Sequence, residues 1–515
     1  MTGKIIKSFM IAVMIILTAS TGYTQVTFSD QTDNANVMMD SRSRYSTGQA
    51  WGDYNNDGYI DVYITSWGQA ATGLAKNALY RNLGNGRFID VASTQDIGLM
   101  DNSTGAAFAD FDNDGDLDLF VANFSEADVV FKNLLMETGS AVFSDVTSSM
   151  NFINLSVGSS KAAVWGDYNN DGFLDLYVSK FWGKNALYRN NNGISFAMVS
   201  GAFEDVRDSE WASWVDYDDD GDVDLYVVNR EQENRLFRND DGTLISASTV
   251  GINSTIFGRS CTWVDYDNNN RLDLFLSNIG ANSLYEQSPG RVFSEIAASA
   301  DVQDAPSAWD TWCAAFGDYD CDGYFDLVFV GGFDETSPTE SFSGTYGNIL
   351  LKNSSGIFVD KTDEAGMSRG GFYGTAPYGS FASSAAFTDY DSDGDPDLFI
   401  TNTLQNLLYR NDNTHNGYLK VSIDDRRTGF NRNGLGAKVR VYNTAAPSVP
   451  VAMQEIMSGP APMYAHFGLV PSNVIPVSSY SFNVDIVFLK SGTSPATTFS
   501  LTNITVPLDT IIVIQ

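Results

Sequence analysis

Apolar and polar positions alternate along this chain in a pattern that returns seven times. In each copy, an apolar stretch with an aromatic residue near its end runs into a nine-residue acidic loop, and a second apolar stretch follows. Residues 110–118 form the clearest loop, with apolar residues 106–109 before it and 119–122 after it. The stretches after the loops are apolar at successive positions, which indicates β-strands that are buried on both faces.

Two further segments complete each repeat. A Leu-Tyr-Arg-Asn-like segment such as residues 79–82 comes next, and a Phe-x-Asp segment such as residues 88–90 ends the repeat. Four short strands in about 50 residues, repeated several times, are typical of a β-propeller. The last repeat lacks its Phe-x-Asp segment, whereas a spare one lies at residues 28–30. We therefore expect an all-β fold in which a seven-bladed β-propeller, residues 26–412, is closed by an N-terminal strand.

An aromatic residue stands two positions before every acidic loop. Such a regular stripe is expected to form core between blades instead of a ligand platform. The seven residues are Trp51, Phe108, Trp165, Trp214, Trp263, Phe316 and Phe387.

The acidic loops have the chemistry of a hard-cation site. Carboxylates stand mainly at positions 1, 3, 5 and 9, and glycine at position 6 permits a sharp turn. Calcium takes six to eight oxygen ligands from carboxylates, carbonyls and water. We predict up to seven Ca²⁺ ions, held by the side chains at positions 1, 3, 5 and 9 and by the backbone carbonyl at position 7. These residues are Asp53, Asn55, Asp57, Tyr59 and Asp61 in the first loop, Asp110, Asp112, Asp114, Asp116 and Asp118 in the second, Asp167, Asn169, Asp171, Phe173 and Asp175 in the third, Asp216, Asp218, Asp220, Asp222 and Asp224 in the fourth, Asp265, Asp267, Asn269, Arg271 and Asp273 in the fifth, Asp318, Asp320, Asp322, Tyr324 and Asp326 in the sixth, and Asp389, Asp391, Asp393, Asp395 and Asp397 in the seventh.

The fifth loop departs from the pattern, because Asn269 and Asn270 replace the usual Asp-Gly pair and Arg271 adds a cation. The alternative interpretation of all seven loops is a set of solvated acidic turns, since Asp-Gly and Asn-Gly are also ordinary hairpin residues. If the loops do bind metal, seven copies in seven blades favour a structural role over a regulatory one.

The formal net charge of −34 makes nucleic acid an unfavourable partner, because both would repel each other. Much of this charge is local, since 29 of the 64 acidic residues lie in the seven loops. Calcium should therefore relieve repulsion inside the fold and stabilise it.

The N-terminus is typical of an export signal, predicted over residues 1–22. Lys4 and Lys7 precede an apolar run at residues 9–17, and small residues follow at positions 20–22. That run is too short to span a membrane as a helix. We expect an extracellular, periplasmic or cell-surface protein with no membrane span. Three cysteines do not make a disulfide framework: Cys261, Cys313 and Cys321.

After residue 412 the acidic loops stop and strand-like segments continue. They lie at residues 418–423, 437–442, 451–456, 482–488, 498–504 and 510–514. We predict a small all-β, sandwich-like domain over residues 416–515.

Two resemblances follow from these motifs. The acidic repeats look like the FG-GAP/VCBS repeats of integrin-α-type β-propellers, which carry the same D-x-D-x-D-G-x-x-D loop. Residues 431–439, Asn-Arg-Asn-Gly-Leu-Gly-Ala-Lys-Val, resemble the signature of the ASPIC/UnbV domain, as do residues 458–459, 466–469 and 487–492, although Leu489-Lys490 stands where that domain usually has Trp-Pro. Export signal, propeller and tail together resemble the cartilage acidic protein family.

The strand order predicts where a ligand would bind. The acidic loops share one face of the propeller, and the long insertions at residues 66–76, 305–312, 331–346 and 370–381 fall on the other. Aromatic residues on exposed loops suit a glycan or protein ligand, although they could also merely fill the propeller mouth. The predicted ligand-face residues are Trp67, Trp182, Trp211, Trp309, Trp312, Tyr373 and Tyr378.

These observations favour a secreted, calcium-binding protein.

 They point to a monomeric, non-catalytic binding or adhesion protein with an extracellular glycan or protein ligand. No nucleophile and base pair is recognisable, and His415 and His466 are the only histidines. Two alternatives stay open. One is a polysaccharide-active enzyme, and the other is a purely structural or assembly factor for another exported protein.

Overall fold

The structure is a computed structural model of the chain. It describes residues 26–37, 45–67, 69–70, 73–74, 76–99, 102–124, 126–152, 159–201, 203–204, 206–255, 257–302, 309–333, 348–367, 382–402, 405–413, 418–427, 430–444, 450–468, 481–492 and 495–505. The predicted export segment, residues 1–22, lies outside the described residues.

The described chain is almost entirely β-structure, so the prediction of an all-β fold is confirmed. Three helices of four residues each interrupt it: α1 (Thr32–Ala35), α2 (Leu135–Thr138) and α3 (Ala297–Ala300). Within the described ranges, no helix is long and apolar enough to cross a membrane.

Seven four-stranded antiparallel sheets form between residues 28 and 411. Their first strands are β2 (Tyr45–Gly52), β8 (Ser103–Ala109), β12 (Ser160–Gly166), β16 (Ser209–Val215), β20 (Gly258–Val264), β24 (Trp309–Gly317) and β28 (Ala382–Thr388). Their second strands are β3 (Asp61–Trp67), β9 (Asp118–Asn123), β13 (Asp175–Lys180), β17 (Asp224–Asn229), β21 (Asp273–Asn278), β25 (Asp326–Phe333) and β29 (Asp397–Asn402). Their third strands are β6 (Ala78–Asn82), β10 (Val129–Asn133), β14 (Ala186–Asn190), β18 (Arg235–Asp240), β22 (Ser283–Gln287), β26 (Ile349–Ser354) and β30 (Leu407–Asn411).

The fourth strand differs between the first six sheets and the seventh. In the first six it is the Phe-x-Asp segment or its counterpart: β7 (Phe88–Asp90), β11 (Phe143–Asp145), β15 (Phe196–Val199), β19 (Thr243–Ser246), β23 (Phe293–Glu295) and β27 (Ile357–Asp360). In the seventh it is the N-terminal strand β1 (Phe28–Asp30), which pairs with β30 so that Phe28 lies opposite Asn411. A minor hairpin of β4 (Gln69–Ala70) and β5 (Gly73–Leu74) lies between β3 and β6.

The first strands of successive sheets contact each other in chain order, and β28 also contacts β2. Between them lies the aromatic stripe, of which six residues are buried as predicted and Phe316 is partly buried. Trp51 and Trp165 are among the largest fully buried side chains. Glycines make room for it. A Cβ on Gly166 would lie 2.6 Å from the indole of Trp214, which belongs to the next sheet. The second strands are buried along their whole length in five sheets, which confirms the interpretation of their apolar runs.

An amide side chain at the end of each third strand ties its sheet to the preceding one. The Nδ2 or Nε2 atom donates to the backbone carbonyl of the second residue in the acidic loop of the preceding sheet, at 2.7 to 2.8 Å. The pairs are Asn82 with Tyr390, Asn133 with Tyr54, Asn190 with Phe111, Asn239 with Tyr168, Gln287 with Tyr217, Asn353 with Tyr266, and Asn411 with Tyr319. The Asn of the Leu-Tyr-Arg-Asn segment is therefore a connector between sheets.

The C-terminal segment forms two further sheets. One has the order β33-β32-β35-β36 and the other pairs β31 with β34. The strands are β31 (Tyr418–Val421), β32 (Lys438–Asn443), β33 (Pro450–Glu455), β34 (Ala465–Gly468), β35 (Ser481–Phe488) and β36 (Thr497–Thr505). Alternate residues of β35 are buried, so one of its faces packs into an apolar core. The strand predicted at residues 510–514 lies outside the described residues, and the predicted domain boundaries stay predictions.

The three cysteines are free thiols buried in the fold. Burial raises the pKa of the Cys261 thiol to about 12, which keeps it protonated and unreactive.

Acidic loops and aromatic face

The first aspartate of each acidic loop shapes the loop around itself. In the first loop, Asp53 accepts the backbone N–H groups of Asp57 at 3.1 Å and Gly58 at 2.8 Å. The same two bonds recur in the next five loops, and the seventh has the second of them. The residue at position 6 has a positive φ in every loop, such as +88° at Gly58, which explains the preference for glycine there.

The closing aspartate fixes the loop to the sheet. Its Oδ1 accepts the backbone N–H of the connector amide residue in the third strand, at 2.7 to 2.9 Å in all seven repeats. In five loops its Oδ2 accepts the N–H of the second loop residue, as Asp224 does from Tyr217 at 3.2 Å. Positions 1 and 9 therefore hold the loop in shape, apart from any role toward a metal.

Positions 1, 3 and 9 converge. In the second, fourth, fifth and sixth loops, carboxylate oxygens from these three positions lie within 4.8 Å of one another. Three of these oxygens are buried without a hydrogen-bond partner among the described residues, namely Asp218 Oδ1, Asp273 Oδ2 and Asp320 Oδ1, and so is Asp391 Oδ1 at position 3 of the seventh loop. Buried acceptors without a donor need a cation or water to satisfy them. The donor set is all oxygen, which fits a hard divalent cation.

The first and third loops carry asparagine at position 3, namely Asn55 and Asn169, so they present fewer carboxylates than the fourth. The fifth loop brings Asp265, Asp267 and Asp273 together despite its altered sequence. Its Arg271 side chain donates to backbone carbonyls, from Nε to Gln287 at 2.8 Å and from Nη1 to Asn269 at 3.5 Å.

Burial and mutual repulsion raise the pKa of these carboxyl groups. Burial is the larger cause for Asp110, whose pKa rises to about 8, with Asp112 and Asp114 adding to it. The pKa of Asp61 rises to about 9, again mainly through burial. The loops therefore hold their full negative charge at neutral pH only at a cost in free energy, which a bound cation would offset.

Two loops are partly neutralised by a lysine of their own sheet. Lys132 Nζ contacts Asp112 and lies 3.2 Å from Asp114 Oδ2. Lys352 Nζ contacts Asp320 and lies 2.8 Å from Asp322 Oδ2. Both lysines occupy the arginine position of the Leu-Tyr-Arg-Asn segment.

The C-terminal sheets lie against the acidic loops. Asn433 Oδ1 accepts the N–H of Asp110 at 2.9 Å, and the Gly468 N–H donates to Asp318 Oδ2 at 2.9 Å. At the fourth loop, the buried Lys438 Nζ donates to the carbonyl of Asp216 at 2.5 Å. Lys490 Nζ lies 2.8 Å from Asp222 of the same loop. Two contacts reach the seventh loop: Lys420 Nζ lies 3.5 Å from Asp389, and His466 Nε2 lies 3.0 Å from the carbonyl of Gly394.

These C-terminal residues are the functional contacts that the sequence interpretation missed. Several lie in the segments that carry the ASPIC/UnbV resemblance, so that signature marks a surface facing the acidic loops. A charge signal was available: residues 415–515 contain seven basic and five acidic residues, in a chain of net charge −34. Opposite net charge in two parts of one chain favours contact between them.

The opposite ends of the second strands carry an aromatic cluster. The Trp67 and Phe124 rings stack with centroids 4.8 Å apart, and Trp182 lies 5.5 Å from Phe124 and 5.2 Å from Phe181. We call Trp67, Phe124, Phe181 and Trp182 the aromatic arc. Trp67 and Phe124 come directly from successive sheets, and Trp182 is 57% exposed.

The other predicted ligand-face residues are placed less uniformly. Trp312 lies in β24 beneath the Arg259 guanidinium, at 4.6 Å from its ring centroid. Trp211 packs against an apolar core cluster. Trp309 begins β24, but its side chain is outside the described part of the chain, as are Tyr373 and Tyr378.

Repeated four-stranded sheets, each with this acidic loop between its first and second strands, are the setting of the FG-GAP-like repeats in this chain. A family model described as FG-GAP-like repeat matches residues 53–121, 167–227, 216–276 and 265–329. The chain is similar to cartilage acidic protein 1 over part of its length, which supports the family prediction. It is 29% identical to the Mus musculus protein over 181 residues, which are 33% of this chain and 26% of that protein. It is 28% identical to the Homo sapiens protein over 160 residues, which are 30% and 22% of the two chains.

The chain thus spans about a quarter of the length of these curated relatives. Among solved structures, it resembles an Agrocybe aegerita lectin that recognises non-reducing terminal N-acetylglucosamine. The TM-score is 0.41 at 15% identity, covering 69% of this chain and 88% of the lectin. It also resembles YCF48 from Cyanidioschyzon merolae, with a TM-score of 0.44 at 9% identity, covering 74% and 98% of the two chains.

Proposed function

We propose that this protein is an exported, non-catalytic binding protein built on a closed seven-bladed β-propeller whose acidic loops hold Ca²⁺. The observation that carries the proposal is the recurrence of converging carboxylates with unpartnered buried oxygens at one place in successive sheets. A structural turn would need no such oxygens. A bound Ca²⁺ would supply the positive charge that balances these converging carboxylates.

The closed propeller is supported by two links between the seventh sheet and the first part of the chain. Strand β1 pairs with β30, and Asn82 of the first sheet donates to the carbonyl of Tyr390 in the seventh loop at 2.7 Å. One link joins the last sheet to the strand that precedes the first repeat, and the other joins it to the third strand of the first sheet. Closure would leave no open sheet edge at either end of the array.

Ligand binding is proposed at the face opposite the acidic loops. The C-terminal sheets already contact several of the loops, so that face is partly covered. The aromatic arc lies at the other ends of the second strands and includes the exposed Trp182. Exposed aromatic side chains on a rigid scaffold are common anchors for ligands.

The structural role of calcium is tested by thermal unfolding of the chain from residue 26 onward in calcium, in magnesium and in chelator. Each site occupied at a hundred times its dissociation constant should add about 2.7 kcal/mol of stability. We expect a large calcium-specific rise in Tm. The same Tm in all three buffers would show that the loops are acidic turns, and would remove the main support for the proposal.

A further inference from the structure

Each first strand carries one β-bulge at the same place, near the end opposite the acidic loop. In every case, one residue of the first strand is skipped in the pairing with the second strand. A bulge turns the extra side chain away from the regular pattern, and bulges are frequent next to binding sites. The bulged residues are Thr47, Thr104, Lys161, Glu210, Arg259, Trp312 and Ser383.

Three of these side chains are hydroxyls that bridge to the next sheet. Ser383 Oγ donates to the carbonyl of Ser46, and Thr47 and Thr104 donate to the carbonyls of the two following first strands, each at 2.7 Å. The bulged residues therefore contact one another's strands in sequence. They define a hoop of side chains at one end of the first strands.

The next part of the hoop is charged. Lys161 Nζ lies 3.1 Å from Glu210, and Glu210 lies 3.1 Å from Arg259. Arg259 Nε donates to Asp310 at 2.8 Å. The Glu210, Arg259 and Asp310 side chains are 4%, 6% and 1% exposed, so these charges are fixed in place by burial.

Arg230, the residue that follows β17, is only loosely paired with this chain of charges. Its Nη1 is 3.9 Å from Glu210 and its Nε is 3.9 Å from Glu231, both beyond hydrogen-bond distance. With Arg230 and Glu231 included, the charged chain has three cations and three carboxylates, so it has no excess positive charge. The Arg230 Nε and the indole Nε1 of Trp312 are buried donors without a partner among the described residues. Buried donors of this kind call for an acceptor, and a guanidinium is best satisfied by the two oxygens of a carboxylate.

The aromatic arc borders the same charged chain. Lys161 Nζ lies 6.0, 5.8 and 5.3 Å from the ring centroids of Trp67, Phe124 and Phe181. The Arg230 guanidinium lies 5.6 Å from the Phe181 ring. Apolar ring faces and an anion-accepting group are thus adjacent on one surface.

We propose that this surface binds an acidic saccharide, with a sugar ring against Trp182 and its carboxylate at Arg230 and Lys161. A sugar ring presents an apolar face and a rim of hydroxyl groups, so it suits an aromatic surface beside fixed polar groups. A uronic acid adds the carboxylate that the loosely paired Arg230 would accept. This inference rests on the proposed function, because it names the class of ligand for the proposed binding face.

The test is calorimetric titration of the calcium-loaded chain with oligogalacturonate, with its methyl ester, and with oligoglutamate. Arg230→Gln and Trp182→Ala should each weaken oligogalacturonate binding by about tenfold or more, the loss of one charge-assisted contact or one aromatic anchor. Arg426→Gln is the matched control, because it removes one exposed arginine of the C-terminal segment, whose side chain is 57% exposed. It should leave binding unchanged.

Equal affinity for oligogalacturonate and its methyl ester would overturn carboxylate recognition. If Trp182→Ala then weakened the binding of both probes, the aromatic face would still be the place where they bind. Binding of oligoglutamate in place of the saccharide would overturn the ligand class. Oligogalacturonate binding that ignored both substitutions would overturn the site. If none of the three probes bound to the unmodified protein, ligand binding at the aromatic face would lose its support, independently of the effect of calcium on Tm.

Discussion

The substitution Asp218→Asn separates a metal ligand from a structural carboxylate within one loop. Asp218 stands at position 3 of the fourth loop, where its Oδ1 is buried and unpartnered among the described residues. Its nearest cation, Arg291, lies 3.4 Å away. The amide keeps the size of the side chain and removes its charge. The substitution should therefore change the free energy of unfolding with opposite signs in the presence and absence of calcium.

The magnitude follows from the spacing of the carboxylates. Oxygens of Asp216, Asp218 and Asp224 lie within 4.8 Å of one another. Two unit charges at that distance repel by about 3.5 kcal/mol at an effective dielectric constant of about 20. Arg291 offsets part of this repulsion, so the substitution should stabilise the metal-free protein by about 1 to 3 kcal/mol. In calcium it removes a ligand and should cost at least about 1.4 kcal/mol, a tenfold loss of affinity at that site.

The assay is Tm in chelator and in calcium, together with calcium titration. Asp218→Asn should raise Tm in chelator and lower it in calcium. Asn169→Asp makes the reverse change at the same position of the third loop, and should lower Tm in chelator while tightening calcium binding. A Tm that fell equally in both buffers would show that Asp218 only holds the fold, and would refute the reasoning.

Three further outcomes are expected. In chelator, Tm should fall as pH rises from about 4 toward about 9, because carboxyls such as Asp61, whose pKa is raised to about 9, favour the folded state only while protonated. Calcium should abolish this fall. A Tm in chelator that did not change with pH would contradict the prediction. Lys438→Met should destabilise the protein by about 3 kcal/mol in denaturant unfolding, because it leaves buried Glu455 unpaired, and adding Glu455→Met should restore most of the loss. Gly166→Ala should cost about 1 to 3 kcal/mol, because its Cβ would lie 2.6 Å from the neighbouring indole, whereas Gly459→Ala, with open space around it, should leave Tm unchanged.

The repeat itself could be predicted because its periodicity and composition act locally. The acidic loop, the buried second strand and the aromatic stripe each depend on residues within one repeat. Strand β1 was predictable for a related reason, since a missing segment at one end matched a spare one at the other. The pairing of Phe28 with Asn411 follows that match.

Contacts between repeats were beyond the sequence pattern. Asn190 was visible as part of a recurring segment, but nothing in its spacing says that its amide reaches Phe111 in the preceding sheet. The charged part of the hoop was equally hidden, because Lys161 and Glu210 occupy a position that holds hydroxyls in other repeats. The contacts that these side chains make depend on how neighbouring sheets pack, which one repeat alone does not determine.

The pairing of β1 with β30 has a consequence for the order of folding. Strand β1 emerges first during synthesis, yet its partner belongs to the last repeat. Until then, the seventh sheet does not exist, and β1 has an unsatisfied edge that other strands could capture. Pairing β1 with β30 is also slow, because the long chain segment between them loses conformational entropy before the contacts between the two strands form. Completion of the array thus waits on the last repeat, and a nascent chain released before that point would need protection from strand exchange.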